Sequence, residues 1–461
     1  MTELWQKSAV EISKMVSSKE VSAEEVAKSH LERIAQVNPR LNALTLVDSE
    51  SVERAKKFDQ GSRLGKLAGV VFSSKINVDH KGYPTDDGLT FQADAIAPST
   101  TPVISGLEDA GGTMIGRSNS PAMALRIHTD NALHGATLNP FDQAITPGGS
   151  SGGAGVAVAT GMCAVAQGND IGGSVRWPAF NSGITALRPT VGRMPTMKAN
   201  TTSPRFTFSL LMSTNGPMAR NIDDLWATFE AMSIYNIDDP RSVSFPIENY
   251  GPRASRKVAL ISDDGHHMSS ETKQALATAA KHLSDAGYEV EQVNPPMLEA
   301  TFSMWERIAA PELLLNAALV EQIPDPGFVA WGRELMRKMP ETNFALYFNA
   351  MAERDLICRA WTAFMQEYPL MLMITNANHT MPAAYDTKGP AAVDDIFEQM
   401  RYQFSLPTTG FPVLQVPINV GTTKPNGVQL VASMFREDLL IQAGKAIEDR
   451  EGVRPVIDIA W

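Results

Sequence analysis

Two glycine-rich loops, each carrying serine, constrain the fold of this chain more than any other feature. The first reads Pro-Gly-Gly-Ser-Ser-Gly-Gly over residues 147–153, and the second reads Asp-Ile-Gly-Gly-Ser-Val-Arg over residues 170–176. Glycines at this density let the backbone approach a ligand closely and point several N–H groups at one place. A developing oxyanion needs such donors, and a serine among them is a candidate nucleophile. The loops therefore predict acyl transfer, with hydrolysis of a C–N bond as the reaction.

A base for that serine is available upstream in Lys75, within Ser-Ser-Lys-Ile-Asn. A lysine side chain has an ordinary pKa of about 10.4, so it must lose its charge to act as a base near neutral pH. Burial favours the neutral amine because desolvation penalises the ammonium form. Lys75 follows Gly-Val-Val-Phe at 69–72, a pattern that indicates a buried strand entering a polar loop. We therefore expect Lys75 to be buried.

The motifs resemble the core of the amidase signature family. Residues 148–153 match its Gly-Gly-Ser-Ser-Gly-Gly, residues 170–178 match its Asp-x-Gly-Gly-Ser-(Ile/Val)-Arg-x-Pro, and residues 188–193 match its Lys-Pro-Thr-x-Gly-Arg with arginine first. The spacings of 75 positions from Lys75 to Ser150 and 24 from Ser150 to Ser174 also fit the family. The resemblance covers most of the chain. It implies an α/β fold of the amidase-signature type, with a large mixed β-sheet flanked by helices on both faces.

The resemblance also implies a Ser-Ser-Lys triad. In it Ser174 is the nucleophile, Ser150 is the bridging serine and Lys75 is the base, and the peptide bond between Gly149 and Ser150 is cis. The expected oxyanion hole consists of the backbone N–H groups of Ile171, Gly172, Gly173 and Ser174.

Three further residues are expected to support this site. Asp170 and Arg176 flank the nucleophile and resemble a structural pair that fixes the loop, while Ser151 is expected to hydrogen bond near Ser150. The family usually has an acidic residue directly after the lysine, and here that position is Ile76. This departure places one fewer acid near Lys75.

The substrate pocket is expected to be apolar. Where the family usually has Asn-x-x-Glu-Phe, this chain has alanine and methionine in place of the last two residues. We expect Ala124 and Leu125 to lie near the reacting carbonyl and Trp177 to add a wall. A small aryl or alkyl amide is the predicted substrate, and aryl ureas and carbamates are the alternative because the same tetrahedral chemistry serves them. An amidotransferase subunit is a lesser alternative, since no sequence feature marks a partner surface.

Two other classes of protein compete for the first glycine loop. Gly148 to Gly152 fits the Gly-x-Ser-x-Gly nucleophile elbow of α/β-hydrolases, but the preceding residues 139–147 contain two prolines and resemble a turn rather than a buried strand. A nucleotide-binding module would need a lysine after the loop, or an acid about 20 residues further on. Asp170 lies near that distance but already belongs to the second motif. Binding of ATP or NAD would favour this alternative.

No metal or other cofactor is predicted. The eight histidines contain no His-Glu-x-x-His pattern, and the two cysteines are far apart and form no zinc-binding motif. The net charge of −11 disfavours nucleic acid as a partner. No apolar stretch is long enough to span a bilayer, and residues 1–7 lack a signal-peptide pattern. We expect a cytoplasmic enzyme that acts on a small molecule. The sequence leaves a homodimer as an open alternative for its assembly.

The motifs are spread along the 461 residues, which favours a single domain over residues 1–461. Its expected parts are a catalytic core at about 65–195, a largely helical pocket-shaping region at about 196–365, and C-terminal core strands with a closing helix at about 366–461. Capping boxes that begin at Ser8 and Ser22 predict two N-terminal helices. Residues 163–166 predict a strand that leads to the nucleophile loop.

Overall fold

The computed structural model describes residues 3–62, 64–197, 205–247, 256–421 and 424–461. Within these residues, eleven strands form one sheet. The strands are β1 (Leu44–Val47), β2 (Val71–Lys75), β3 (Thr113–Ser118), β4 (Val165–Asp170), β5 (Thr185–Arg188), β6 (Thr214–Ala219), β7 (Lys257–Leu260), β8 (Glu289–Gln292), β9 (Leu370–Ile374), β10 (Val413–Ile418) and β11 (Asn426–Ala432).

The sheet is mixed, with the order β1-β3-β2-β4-β6-β5-β10-β11-β9-β7-β8. Strand β2 runs parallel to both β3 and β4, and β7 runs parallel to both β8 and β9. The remaining pairs are antiparallel. The central strands are fully or almost fully buried, as expected for strands covered on both faces.

Helices cover the sheet, and the predicted fold class is confirmed. The helices are α1 (Ala9–Ser17), α2 (Ala23–Leu41), α3 (Ser51–Asp59), α4 (Pro102–Asp109), α5 (Gly152–Ala159), α6 (Arg176–Ser182), α7 (Thr207–Met212), α8 (Ile222–Met232), α9 (Ser270–Asp285), α10 (Leu298–Phe302), α11 (Met304–Leu315), α12 (Ala317–Val320), α13 (Pro326–Lys338), α14 (Phe344–Glu367), α15 (Pro390–Gln399), α16 (Arg401–Thr409) and α17 (Glu437–Glu451). Short 3-10 helices lie at Leu4–Gln6, Thr90–Gln92, Ala122–Ala124 and Tyr385–Thr387.

The two predicted N-terminal helices begin where their capping boxes place them. The Ser8 and Ser22 side chains accept hydrogen bonds from the third helical N–H group of α1 and α2, and a glutamate returns the contact in each case. The reciprocal bonds satisfy donors that the first helical turn leaves free. The inner faces of both helices pack on the core.

The sheet brings the predicted site together at the ends of two neighbouring parallel strands. Lys75 is the last residue of β2, and Asp170 is the last residue of β4. The predicted strand before the nucleophile loop is therefore present, but it begins at Val165 and runs four residues further than the pattern indicated. Helix α5, which is wholly buried, follows the first glycine loop. Residues 196–365 contribute β6, β7 and β8 to the sheet in addition to their helices.

Candidate active site

Lys75 is completely buried and its side chain reaches the first glycine loop. Its Nζ atom lies 2.6 Å from Ser150 Oγ and 2.8 Å from Asn169 Oδ1. Its backbone N–H donates to the side-chain oxygen of Gln167 at 3.1 Å, which holds the end of β2 against β4. The partners of the amine at these distances are neutral oxygen atoms, so they do not supply the charge that would hold an ammonium group in a buried place.

The first glycine loop adopts a conformation that side chains would prevent. The Gly149–Ser150 peptide bond is cis, as the resemblance implied. No other peptide bond within the described residues is cis. A Cβ atom added at Gly149 would lie 2.5 Å from the backbone oxygen of Arg126. Gly148 has a φ of +81°, which favours glycine. These close approaches place Ser150 beside Lys75.

The second glycine loop joins β4 to α6 and contacts the first loop through its backbone. The N–H group of Ser151 donates to the carbonyl oxygen of Ser174 at 3.1 Å. The Ser151 hydroxyl lies 3.5 Å from the carbonyl oxygen of Asn169, so it contacts β4. Ser150 and Ser174 both line one cavity, in which Ser174 keeps 8% of its surface exposed. A substrate can therefore reach Ser174.

Asp170 and Arg176 form a fully buried ion pair beneath this loop. Two guanidinium nitrogens of Arg176 lie 3.1 and 3.2 Å from the Asp170 carboxylate oxygens, and Arg188 Nε lies 3.6 Å away. Burial acts to raise the pKa of Asp170, but the two arginines and the Gly173 N–H group outweigh it and hold that pKa below its usual range. Burial lowers the pKa of Arg188 to about 10. The pair thus remains charged and anchors both ends of the loop.

The four predicted oxyanion donors differ in their partners. The N–H group of Gly173 donates to Asp170 Oδ1 at 2.9 Å, so the loop's own carboxylate already holds it. The N–H groups of Ile171, Gly172 and Ser174 have no protein acceptor among the residues whose positions are described. These three groups thus have no competing acceptor within the described residues, whereas the Gly173 N–H group would have to share its present bond with a second acceptor.

The cavity at Ser174 has a volume of about 360 Å³. Its lining contains both apolar and polar residues. The apolar residues include Val78, Leu89, Met123, Ala124, Leu125, Ile171, Phe206 and Phe208, and the polar ones include Asn77, Asp87, Gln92, Arg205 and Asn215. Ala124 and Leu125 thus line the same cavity as Ser174.

Trp177 does not lie in that wall. Its side chain is fully buried in the core, its indole N–H donates to the carbonyl oxygen of Ile127 at 3.0 Å, and its ring stacks on Phe180. The prediction of a substrate contact at Trp177 is therefore corrected to a packing position.

The wall beside Ala124 has an uncommon backbone. Met123 and Ala124 have φ values of 54° and 55°, a left-handed region that residues other than glycine seldom occupy. The N–H group of Met123 donates to the carbonyl oxygen of Asp87 at 2.8 Å. This turn carries the Met123 side chain to the boundary of a second cavity, of about 260 Å³, that shares Met123, Leu125 and Phe206 with the first. The second cavity is lined mainly by apolar residues of α11, α12 and α13.

Sequence reasoning missed two residues that contact the site. Asn169 bridges Lys75 and Asn77, and its position directly before Asp170 was the one available signal. Trp305, from α11, donates its indole N–H to the carbonyl oxygen of Ile171 at 3.0 Å. No motif marks Trp305, because it lies 131 positions beyond Ser174 in a part of the chain without recognisable patterns.

The chain resembles known proteins along most of its length. A family model described as Amidase matches residues 25–441. The chain belongs to this family. An indoleacetamide hydrolase from Bradyrhizobium diazoefficiens is 38% identical over 459 residues, which cover 98% of this chain and 87% of that protein. An acylamidase from Rhodococcus erythropolis is 29% identical, over 98% of this chain and 96% of its own length.

Among solved structures, a bacterial aryl acylamidase of the amidase signature family superposes with a TM-score of 0.82 at 25% identity, and the match covers 97% of each chain. The predicted family and the predicted enzyme class are confirmed: this is a hydrolase that acts on amides. A search of the described helices finds none whose length and apolar character would suffice to cross a bilayer.

Proposed function

We propose that this amidase hydrolyses small aryl or alkyl amides through an acyl-enzyme formed on Ser174. The observation that carries the proposal is the 2.6 Å contact between Lys75 Nζ and Ser150 Oγ. It lies in a loop whose next residue donates its N–H to the carbonyl oxygen of Ser174. A buried amine, a bridging hydroxyl and an accessible hydroxyl are the three groups that the proposed proton relay needs.

The relay moves one proton at each step. Neutral Lys75 accepts the proton of Ser150, Ser150 accepts that of Ser174, and the Ser174 oxygen attacks the amide carbonyl. The N–H groups of Ile171, Gly172 and Ser174 donate to the resulting oxyanion. The relay returns a proton to the leaving nitrogen as the C–N bond breaks. Water then attacks the ester by the reverse route, and the carboxylic acid leaves.

The walls of the cavity support an apolar acyl group. Ala124, Leu125 and Phe208 offer no charged partner, and the apolar second cavity gives a longer or wider group further room. The polar lining residues Asn77 and Asn215 supply hydrogen-bonding groups for the carboxamide nitrogen. Two relatives named as an indoleacetamide hydrolase and an acylamidase are consistent with such substrates.

We further propose a cytoplasmic location, since the free cysteines Cys163 and Cys358 suit a reducing compartment. A homodimer is the proposed assembly. Light scattering after size-exclusion chromatography decides the latter: a mass near 50.0 kDa would mean a monomer and so contradict it.

The test of the chemistry is intact-protein mass spectrometry after treatment with a fluorophosphonate. We compare the native chain with Ser174→Ala and Lys75→Ala, and use Ser213→Ala as a matched control because Ser213 also lines the cavity. We expect one adduct on the native chain and on Ser213→Ala, none on Ser174→Ala, and slow labelling of Lys75→Ala. An adduct that persists in Ser174→Ala would contradict the assigned nucleophile.

The same variants are then assayed on a panel of aryl amides, alkyl amides, anilides and aryl ureas. Turnover of the apolar amides, lost in Ser174→Ala, is the expected result. Turnover restricted to small polar amides would contradict the apolar pocket, and preferential turnover of ureas or carbamates would move the substrate class while leaving the triad intact.

A further inference from the structure

Trp305 is the one aromatic donor that contacts the nucleophile loop among the residues the structure describes. Its indole N–H bonds the carbonyl oxygen of Ile171 at 3.0 Å, and its side chain is 95% buried. Its ring is surrounded by Phe208, Phe397 and Phe404, with ring centroids 5.5–6.4 Å apart. Such packing leaves the indole little freedom to change direction.

The bond to Ile171 determines the direction of the next N–H group. A trans peptide is planar, so its C=O and N–H bonds point in opposite directions. Because the carbonyl of Ile171 points to Trp305, the N–H group of Gly172 points away from Trp305. Ile171 lines the cavity with Ser174, and Trp305 contacts Ile171 without being a lining residue of that cavity.

This peptide needs an anchor because glycine follows it. Glycine permits backbone conformations that other residues avoid, so rotation of the Ile171–Gly172 peptide costs little. Such a rotation would turn the Ile171 carbonyl towards the position of a developing oxyanion and repel it. The next peptides have their own anchors, since the Asp170 carboxylate accepts from the N–H groups of Gly173 and Val175. The peptide that carries the Gly172 N–H relies on Trp305.

We propose that Trp305 is a positioning residue for the oxyanion hole, which acts by holding the Ile171–Gly172 peptide so that the Gly172 N–H faces the reacting carbonyl oxygen. This inference rests on the proposed function of Ser174. It assigns a role in the reaction to α11, a helix that carries none of the family motifs. The side chain touches neither substrate nor nucleophile.

The test is Trp305→Phe, which keeps an aromatic ring in place and removes the N–H group. Loss of one oxyanion donor reduces kcat by roughly 100- to 1,000-fold, and a donor that is only misdirected loses less. We therefore expect kcat to fall by about tenfold or more while KM stays within twofold. The affinity for a trifluoromethyl ketone, which forms an oxyanion on Ser174, should fall by the same factor as kcat/KM.

Two comparisons separate positioning from packing. Trp361→Phe is the matched control, since Trp361 is fully buried and donates its indole N–H to the carbonyl oxygen of Pro296 at 2.9 Å, outside the site. It should leave kcat and the ketone affinity unchanged. Binding of an intact amide, measured in the Ser174→Ala background, should be the same with and without Trp305→Phe, because the ground state depends less on the oxyanion hole.

Values of kcat and ketone affinity within twofold of the native chain would overturn the proposal. A rise in KM at constant kcat would also overturn it, since that result would make Trp305 a wall of the pocket. If Trp305→Phe does not fold, Trp305→Leu, which also lacks the N–H group, decides by the same two readouts. Failure of fluorophosphonate to label Ser174 in the native chain is a different result, because it contradicts the proposed function itself.

Discussion

Two of the hydrogen-bond acceptors of the Lys75 amine are neutral side-chain oxygens, those of Ser150 and Asn169. Asn169 Oδ1 accepts from the amine at 2.8 Å, and the Asn169 amide in turn donates to Asn77 at 2.9 Å. A carboxamide gives the amine a hydrogen-bond acceptor without a negative charge. Replacement of that carboxamide by a carboxylate is therefore the smallest change that alters the charge next to Lys75.

We expect Asn169→Asp to move the acid limb of the kcat/KM profile to higher pH by about one unit or more, because a nearby carboxylate favours the protonated amine. The enzyme then needs a higher pH to supply a neutral base. The measurement is kcat/KM against pH for the best amide substrate. Asn169→Leu is the control: it removes the hydrogen bond without adding charge, so it should lower kcat and leave the limb in place. Superimposable profiles for Asn169→Asp and the native chain would contradict a neutral Lys75 as the base.

At the scale of elements, α11 connects the variable region to the site. It carries Trp305 towards the nucleophile loop and Leu313 towards the second cavity, and its Glu312 accepts the N–H groups of Thr207 and Phe208 at the start of α7. The helix also carries Glu306, whose pKa burial raises to about 7, with Lys338 acting against burial and Asp394 adding to it.

Glu306 makes the stability of this region depend on pH. Its pKa in the folded protein is above the ordinary value of 4.5, so the fold favours the protonated acid. The contribution of Glu306 to the free energy of unfolding is fully present below pH 4.5 and is lost as the pH rises through about 7. We expect Glu306→Gln to raise the free energy of unfolding at pH 8 by on the order of 1–2 kcal/mol more than it does at pH 5. Chemical denaturation at both values checks this, with the exposed Glu341→Gln as control. An equal effect at both pH values would contradict the prediction.

The second cavity gives α13 a role in substrate range. Met336 lines it from a helix that packs against α12. We expect Met336→Trp to fill the space and reduce kcat/KM for amides of long alkyl acids by about tenfold, with amides of short acids unaffected. Assays along a series of acyl lengths measure the effect, and Met336→Leu is the volume-matched control. A uniform loss at every length would show damage to the site rather than to the cavity.

At the scale of the whole molecule, the sheet joins parts of the chain that are distant in sequence. Strand β6, from the region beyond the motifs, lies between β4 and β5 of the catalytic core, and β10 pairs with β5. One connected hydrophobic core extends from Ala9 to Ile447. The proposed single domain over residues 1–461 follows from this interleaving, since removing the middle region would expose the strands on both sides of β6.

We therefore expect a single cooperative unfolding transition. Calorimetry, far-ultraviolet circular dichroism and tryptophan fluorescence should give the same midpoint, because no part of the sheet can unfold without exposing the rest. Labelling with fluorophosphonate should raise the midpoint of this single transition equally for all three probes. Two separate transitions, or a midpoint that differs between probes, would contradict the single-domain proposal.

The parts that were predictable share one property: each depends on residues close together in sequence. The capping boxes at Ser8 and Ser22 are satisfied within one helical turn, and the buried strand before Lys75 shows in its own apolar residues. The glycine loops are recognisable because close backbone contacts exclude side chains there. Strand β6 of the middle region was not predicted, since this short strand carries glycine and proline and obtains its stability from its neighbours.

By itself, the sequence determined the family, the class of reaction and the candidate residues Lys75, Ser150 and Ser174, because glycine conformation and motif spacing are local properties of the chain. The tertiary structure alone decided that Trp177 packs in the core, that Gly173 donates to Asp170, and that Trp305 holds the loop. Each of these outcomes depends on which surfaces meet when the sheet and helices pack. That choice is made by burial and hydrogen bonding over the whole molecule, and no spacing along the chain encodes it.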